Sequence, residues 1–200
     1  MKDDPRVNNI FFNNASIADY LSDYADALKK AINTIDVIEL ENAFRLLSEY
    51  SLSNNDILTI GNGGSHAIAD HLSCDFSKGT FINDNKRLKV IPLGSLASLH
   101  SAAANDFGHE NAFAQQIKFL GSRQSLLIAI SSSGNSQNII KATKHHQSNG
   151  GRCIALTGFD GGALKEMADI SLHVDSNNYG IVEDSHQSII HILAQYIYLD

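Results

Sequence analysis

A buried strand that runs directly into a serine-rich turn constrains this chain more than any other feature. Residues 126–130 read LLIAI, residues 131–136 read SSSGNS, and an amphipathic helix follows from about Asn138. Serine hydroxyls, free backbone N–H groups and a positive helix end therefore gather where the strand ends. This arrangement favours a phosphate-binding turn. A serine-rich loop that only caps its helix is the alternative.

The turn lacks the pattern of a nucleoside triphosphate site. A Walker loop requires a lysine in the pattern GxxxxGK[ST], and residues 131–136 contain none. A phosphorylated small molecule therefore fits better. The formal charge is −7 and the chain has no clustered stripe of lysine and arginine, so we expect no direct nucleic-acid partner.

The length and composition fit one globular domain. The chain has 200 residues, of which 43% are apolar and 18% are charged, and this is enough for a single core. The sequence has no apolar run of membrane-spanning length and no leader pattern at residues 1–6, so we expect a cytoplasmic protein without a membrane partner. Cys74 and Cys153 are too few and too unpatterned for a disulfide framework.

Two helices precede an alternation of strands and helices. The apolar period predicts helices over residues 17–32 and about 38–50, within an N-terminal helical extension of residues 1–55. Short apolar runs predict five strands, at residues 56–60, 89–93, 126–130, 153–157 and 170–174. This order predicts an α/β fold in which a five-stranded parallel sheet lies between helical layers, with residues 1–200 as one domain.

A glycine-rich loop follows the first predicted strand. Residues 61–66 read GNGGSH, in which Gly63 and Gly64 allow a ligand to approach the backbone and Asn62 and Ser65 supply polar contacts or a helix cap. Ligands of open α/β sheets bind beyond the carboxyl ends of the strands. Alone the glycines indicate a tight turn, but together with the serine turn they predict a phosphate clamp.

Two sets of titratable residues lie at helical spacing. His71 and Asp75 are four residues apart and share one helix face, where they could share a metal ion or a proton. Near the C-terminus, Glu183, Gln187 and His191 follow at four-residue steps. His191 is flanked by apolar residues, so its imidazole needs a partner. A surface ion pair, or a core histidine bonded to a backbone carbonyl, is the structural alternative.

Two further turns carry weaker signals. Asn105 and Asp106 read as a loop after a helix and could bond a sugar hydroxyl or cap the turn. Residues 157–162 read TGFDGG and on spacing alone predict a structural turn.

Five segments together resemble the sugar isomerase (SIS) domain family. They occur in the family's order: GNGGSH at 61–66, ANDFG at 104–108, ISSSGNS at 130–136, LTGFDGG at 156–162 and IHIL at 190–193. The resemblance covers roughly residues 15–198 and implies the flavodoxin-like SIS fold and a homotetramer with active sites near subunit interfaces. The segments are most similar to the branch that isomerises D-sedoheptulose 7-phosphate to D-glycero-D-manno-heptose 7-phosphate, the first step toward ADP-heptose and surface glycans such as lipopolysaccharide.

The resemblance also implies roles for individual residues. It assigns the substrate contacts to Asn62, Gly63, Gly64, Ser65, Asn105 and Asp106, and the phosphate contacts to Ser131, Ser132, Ser133 and Ser136. The family's metal positions fall on His71, Asp75, Glu183 and His191, and the last three of these are also the catalytic candidates. Imidazoles and carboxylates in one set suit a zinc ion.

Two of those four positions depart from the family pattern. Asp75 stands where the family has glutamate, and Glu183 stands where it has glutamine. The more anionic set favours a divalent cation, and we expect the carboxylate role to be partly exchanged between the two helices. The alternative functions are an isomerase of another sugar phosphate and a non-catalytic SIS protein, which would bind a sugar phosphate or the bacterial replication initiator.

Overall fold

Helices and strands alternate through the part of the chain that a computed structural model describes, which comprises residues 16–53, 55–83 and 86–199. The strands are β1 Asp56–Ile60, β2 Lys89–Pro92, β3 Leu126–Ser131, β4 Arg152–Thr157 and β5 Ile170–His173. The helices are α1 Ile17–Ile32, α2 Val37–Ser51, α3 Gly64–Cys74, α4 Ala97–Phe107, α5 Ala112–Leu120, α6 Gln137–Ser148, α7 Gly162–Met167 and α8 Tyr179–Leu199. The interpretation of residues 1–6 as lacking a leader lies outside the described residues.

The two N-terminal helices begin at side-chain caps. The Ser16 hydroxyl accepts a hydrogen bond from the backbone N–H of Asp19, and the Asp36 carboxylate accepts one from Ile38. Both caps satisfy N–H groups that have no partner inside the first helical turn. The prediction of two helices before the sheet is confirmed, and α1 coincides with the predicted range.

The five strands form one parallel sheet in the order β2-β1-β3-β4-β5. This is the flavodoxin-like order, and it confirms the predicted fold class. The order reverses at β1, because β2 lies on one side of it and β3 on the other. In such sheets the reversal opens a crevice beyond the carboxyl ends of the strands, and ligands bind there.

The sheet lies between two helical layers. On β3, the side chains of Leu126, Ile128 and Ile130 pack in a cluster with α1, α2, α3 and α8. Leu127 and Ala129 point to the opposite face and pack with α5, α6 and α7. A strand covered on both faces must be apolar at every position, and this explains the continuous run that predicted it.

The edge strand β2 is shorter than predicted. It ends at Pro92, and Leu93 begins a short 3₁₀ turn instead of extending the strand. Proline has no N–H to donate to a ladder, so it is tolerated on an edge strand, where one side of the backbone is unpaired.

Within the residues that the structure covers, none of the helices has the length and apolar character needed to cross a membrane.

The backbone conformation and close packing of the serine turn require glycine at position 134. Two glycine substitutions measure how much this position contributes to stability. Gly134 has φ +63°, and a Cβ on it would overlap the backbone carbonyl oxygen of Gly161. Gly150 has φ +86°, but no described atom lies within 4 Å of its Cβ position. We expect Gly150→Ala to lower the free energy of unfolding by about 1–2 kcal/mol, the cost of left-handed backbone. Gly134→Ala adds steric overlap and should cost about 1–3 kcal/mol more. Urea unfolding measures both, and equal losses would contradict the close packing of the turn.

Candidate active site

The serine turn and the glycine loop line one cavity, which we call the serine pocket. It has a volume of about 180 Å³ and is lined by Asn62, Ser65, Ile130, Ser131, Ser132, Ser133, Ser136, Tyr179 and Glu183. The pocket forms because β1 and β3 are neighbouring parallel strands, so their following loops leave the same edge of the sheet. The sequence therefore correctly placed the two loops together.

The serine hydroxyls of this pocket have few partners inside the protein. The hydroxyl of Ser132 is buried and has no hydrogen-bond partner among the described residues. Ser136 occupies the N-cap of α6, yet its side chain makes no capping hydrogen bond to a described residue. An unsatisfied buried hydroxyl costs free energy that a ligand oxygen would offset. With the positive end of α6 beside them, these groups are arranged to bind an anion.

The glycine loop brings backbone close to α8. Gly63 has φ +55° and lies at the N-cap position of α3. A Cβ on Gly64 would overlap the carboxylate of Glu183, which belongs to α8. The loop thus uses glycine at two adjacent positions, one for backbone conformation and one for close approach. Ser65, the next residue, is buried and lines the pocket.

A second group, which we call the histidine–aspartate cluster, consists of His71, Asp75 and His191. The Asp75 Oδ2 atom lies 3.2 Å from His71 Nε2 and 3.3 Å from His191 Nε2, and the two nitrogens are 3.1 Å apart. Asp75 stands where α3 passes into a π-helical turn at Asp75–Gly79. Such wide turns occur frequently at functional sites, because they redirect one side chain of a helix.

The cluster has the character of a metal-binding site. One ligand atom from each of its three residues lies within 4.8 Å of the others. Asp75 Oδ2 is buried and accepts no hydrogen bond from the described residues, although two imidazoles face it. The side chains of His71 and His191 are 48% and 45% exposed, so a ligand can reach them. An adjoining cavity of about 570 Å³ is lined by Asp75, Gly79, His191, Ala194, Gln195, Tyr198 and Leu199.

The structure does not bring Glu183 to this cluster. Glu183 lines the serine pocket and precedes His191 by eight residues of α8, which is about 12 Å along a helix axis. Burial, and the nearby charge of Asp184, raise the pKa of the Glu183 carboxyl. The neighbour of His191 is instead Gln187, whose Nε2 lies 2.9 Å from His191 Nε2. Three of the four predicted metal positions therefore come together, and the fourth does not.

The other two predicted turns have different places. Asn105 and Asp106 are exposed on the last turn of α4, where the Asn105 amide donates to the Asp106 carboxylate at 2.9 Å. Neither residue is among those that line the serine pocket. In the 157–162 turn, the N–H of Gly158 donates to the Ser132 carbonyl at 2.9 Å, which supports its structural role. Phe159 of this turn packs on Tyr179 with ring centroids 4.6 Å apart.

The fold and the serine turn define a SIS domain, and the comparisons with known proteins agree. The SIS domain family profile matches residues 19–158, more than half of the chain. Phosphoheptose isomerase of Helicobacter pylori strain P12 is 36% identical over 174 residues, which cover 87% of this chain and 90% of that protein. Phosphoheptose isomerase of Aliarcobacter butzleri strain RM4018 is 36% identical over 183 residues, covering 92% and 95%.

Solved structures give the same assignment. A phosphoheptose isomerase from Francisella tularensis superposes with a TM-score of 0.83 at 28% identity, covering 92% of this chain and 97% of that chain. The chain belongs to the phosphoheptose isomerase family of SIS domain proteins. The Vibrio vulnificus NanR protein complexed with ManNAc-6P superposes with a TM-score of 0.64 at 16% identity. The superposition covers 92% of this chain and 62% of the NanR chain, and it shows a shared fold alone. The resemblance to isomerases is thus confirmed, and the non-catalytic alternative is not favoured.

His186 is a core histidine that the sequence did not single out. It is fully buried on α8, its Nε2 lies 3.1 Å from the Thr157 carbonyl oxygen, and its Nδ1 has no partner among the described residues. Burial lowers the pKa of His186 to about 4. For His191, the sequence leaves open a hydrogen bond to a backbone carbonyl. In the structure, His186 of the same helix makes such a bond.

We expect His186 to make the protein less stable as the pH falls from about 6.5 to about 4. In this range the unfolded chain binds a proton on this histidine and the folded chain does not, so the contribution lost at pH 4 is about 3 kcal/mol. Urea unfolding across this range should show a shallower pH dependence for His186→Gln than for the wild type. His145→Gln, at a half-buried position on α6, is the control and should keep the wild-type slope. Equal slopes for all three proteins would refute the prediction.

Proposed function

We propose that this chain is an aldose–ketose isomerase that interconverts D-sedoheptulose 7-phosphate and D-glycero-D-manno-heptose 7-phosphate. The observation that carries the proposal is a carboxylate placed between two half-exposed imidazoles, in a chain of the phosphoheptose isomerase family. Aldose–ketose isomerisation moves one proton between C1 and C2 through an enediol, so it needs a base at carbon and an acid/base at oxygen. A carboxylate beside imidazoles supplies both groups.

The serine pocket is proposed to hold the phosphate. The hydroxyls of Ser131, Ser132, Ser133 and Ser136 would donate to its oxygens, while Asn62, Gly63, Gly64 and Ser65 approach from the opposite wall. Glu183 shares this pocket, and burial raises the pKa of its carboxyl.

Proton transfer is assigned to the histidine–aspartate cluster. Asp75 takes a proton from C1 of the ketose and returns it to C2, while His191 exchanges hydroxyl protons with O1 and O2. The structure favours Asp75 over Glu183 as this base, because Asp75 lies 3.3 Å from the second titratable group and Glu183 lies elsewhere. General acid–base catalysis of this type contributes about 10²–10⁴-fold.

We propose zinc as the metal of the cluster, with His71, Asp75 and His191 as its ligands. Tetrahedral zinc with nitrogen and oxygen ligands at about 2.0–2.1 Å separates those ligands by about 3.3 Å. The observed separations of 3.1, 3.2 and 3.3 Å fit this geometry. When bound at His191 Nε2, such an ion would replace proton exchange by that imidazole, because it would polarise the sugar carbonyl as a Lewis acid. Asp75 Oδ2 faces the imidazoles, so Oδ1 remains for the proton at carbon.

The proposal extends to assembly and compartment. Exposed apolar side chains on α1 and α8, among them Ile17, Leu21 and Leu199, fit burial in a homotetramer. Asn105 and Asp106 would then reach the sugar of a neighbouring subunit, because they are exposed and lie outside the serine pocket of their own chain. Cys74 and Cys153 are both free thiols, as expected in the reducing cytoplasm.

We further propose that residues 1–200 form one domain and that the N-terminal helices are part of it. Ala31 of α1 and Leu47 of α2 lie in the same buried cluster as the sheet residues Ile128 and Ile154. A shared core of this kind is what defines a domain.

Turnover of D-sedoheptulose 7-phosphate by the purified protein tests the proposed activity. We expect Asp75→Asn and His191→Ala each to lower kcat by at least about 10²-fold, because each removes an acid/base group. His145→Ala, a half-buried histidine on α6 outside the serine pocket and the histidine–aspartate cluster, is the control and should keep wild-type activity. Chelation should abolish turnover and zinc should restore it, with fructose 6-phosphate as the control substrate. Wild-type rates in either cluster variant would contradict the assignment.

The serine pocket is tested by Ser133→Ala combined with Ser136→Ala. Hydrogen bonds to charged groups contribute about 1.5–3 kcal/mol each, so the double variant should raise KM at least about tenfold with a smaller change in kcat. Ser148→Ala is the matched control, because Ser148 ends the same helix and its hydroxyl donates only to the His145 carbonyl at 2.8 Å. An unchanged KM in the double variant would exclude these hydroxyls as the phosphate ligands.

A further inference from the structure

We infer that Asn138 is a positioning residue that holds the glycine loop of the substrate site through the side chain of Asn62. Asn138 lies in the first turn of α6, two residues after Ser136 of the serine turn. Asn62 lies in the glycine loop after β1. The inference rests on the proposed function, because the loop that Asn138 holds is the wall of the proposed phosphate pocket.

The two asparagines form a reciprocal amide pair. The Asn62 amide donates to the Asn138 carbonyl oxygen at 2.9 Å, and the Asn138 amide donates back to the Asn62 carbonyl oxygen at 2.9 Å. Two parallel hydrogen bonds between planar amides constrain distance and orientation together. The pair joins segments 76 residues apart in the chain, so it ties the two walls of the serine pocket directly to each other.

Asn138 has no hydrogen-bonding capacity left for a substrate. Its second amide N–H faces His109 Nε2 at 3.3 Å, and its carbonyl oxygen also accepts from the backbone N–H of Ile139 at 3.0 Å. Both donors and both acceptor positions of the side chain are therefore used. The residue is 3% exposed. Asn138 can therefore affect a ligand only by positioning Asn62, which is exposed and lines the pocket. The second amide N–H of Asn62 is not used in the pair with Asn138.

The third partner of Asn138 is itself held in place. His109 belongs to a short turn, residues 109–111, that packs on α6. Lys141, one helical turn after Asn138, donates to the Glu110 carboxylate at 2.5 Å and to the Asn111 side-chain oxygen at 3.4 Å. The turn thus places His109 Nε2 as an acceptor for one N–H of the Asn138 amide. The other N–H and the carbonyl oxygen of this amide are then oriented toward Asn62.

Binding of inorganic phosphate and steady-state kinetics test the inference in full-length protein. Asn138→Leu removes the pair, and Asn138→Ser is the second variant should the leucine variant not fold. Asn62→Ala and the Asn62→Ala/Asn138→Leu double variant complete a mutant cycle. Thr143→Val is the matched control, because Thr143 is buried on the same helix, its hydroxyl bonds to the Ile139 carbonyl at 3.0 Å and to the Cys153 side chain, and it does not line the serine pocket.

We expect Asn138→Leu to weaken phosphate binding and to raise KM about tenfold, the equivalent of losing one to two net hydrogen bonds, while kcat stays close to the wild-type value. The double variant should bind phosphate no more weakly than Asn62→Ala, because Asn138 acts through Asn62. Thr143→Val should leave both quantities unchanged. Additive losses in the double variant, or an equal loss in Thr143→Val, would overturn the inference.

The phosphate arm separates this inference from the proposed activity. A wild-type protein that binds phosphate but turns over no heptulose phosphate would refute the isomerase, while the mutant cycle would still report on the pair. A wild-type protein that binds no phosphate would refute the serine pocket, and the inference with it.

Discussion

The parallel pairing of β1 with β3 is the constraint on which the rest of the structure depends. Its register places Ile57 beside Leu126 and Ile60 beside Ala129, so β3 extends two residues beyond the end of β1. The glycine loop and the serine turn therefore start at slightly different heights on one edge of the sheet. Both strands are buried on both faces, and a slip by one residue would turn every side chain to the opposite face. Burial thus sets the relative position of the two walls of the serine pocket.

Sequence alone predicted most of the fold, because its signals are local. The apolar runs that became β1 and β3 are bounded by glycine and serine turns, and the first helix begins at a capping serine, Ser16. The neighbouring positions of the two loops followed from a general rule for parallel sheets. Two strands, β2 and β5, are each one residue shorter than predicted, and β2 ends at Pro92, whose missing N–H favours a strand end.

The geometry between helices could not be predicted in the same way. The helical period places Glu183 and His191 on one face of α8. The point along this face at which α3 packs depends on tertiary contacts, which the period does not show. In the structure α3 brings His71 and Asp75 to the His191 end, so Glu183 belongs to the serine pocket. The same limit explains Asn138, which reads as an ordinary residue of a helix. Its partner Asn62 is 76 residues away in the chain, and no local signal links the two residues.

The two carboxylates that the sequence analysis set apart from the family pattern are divided between the proposed metal site and the proposed phosphate site, which have opposite electrostatic needs. A cation site is stabilised by negative charge, and Asp75 supplies it between two imidazoles. A phosphate site is weakened by negative charge, and there burial raises the pKa of the Glu183 carboxyl, because burial penalises its charged form. The net charge of −7 gives no general attraction for an anion. The proposed affinity for a sugar phosphate would therefore depend on local donors, namely the serine hydroxyls and the N-terminal N–H groups of α6, held in register by the sheet.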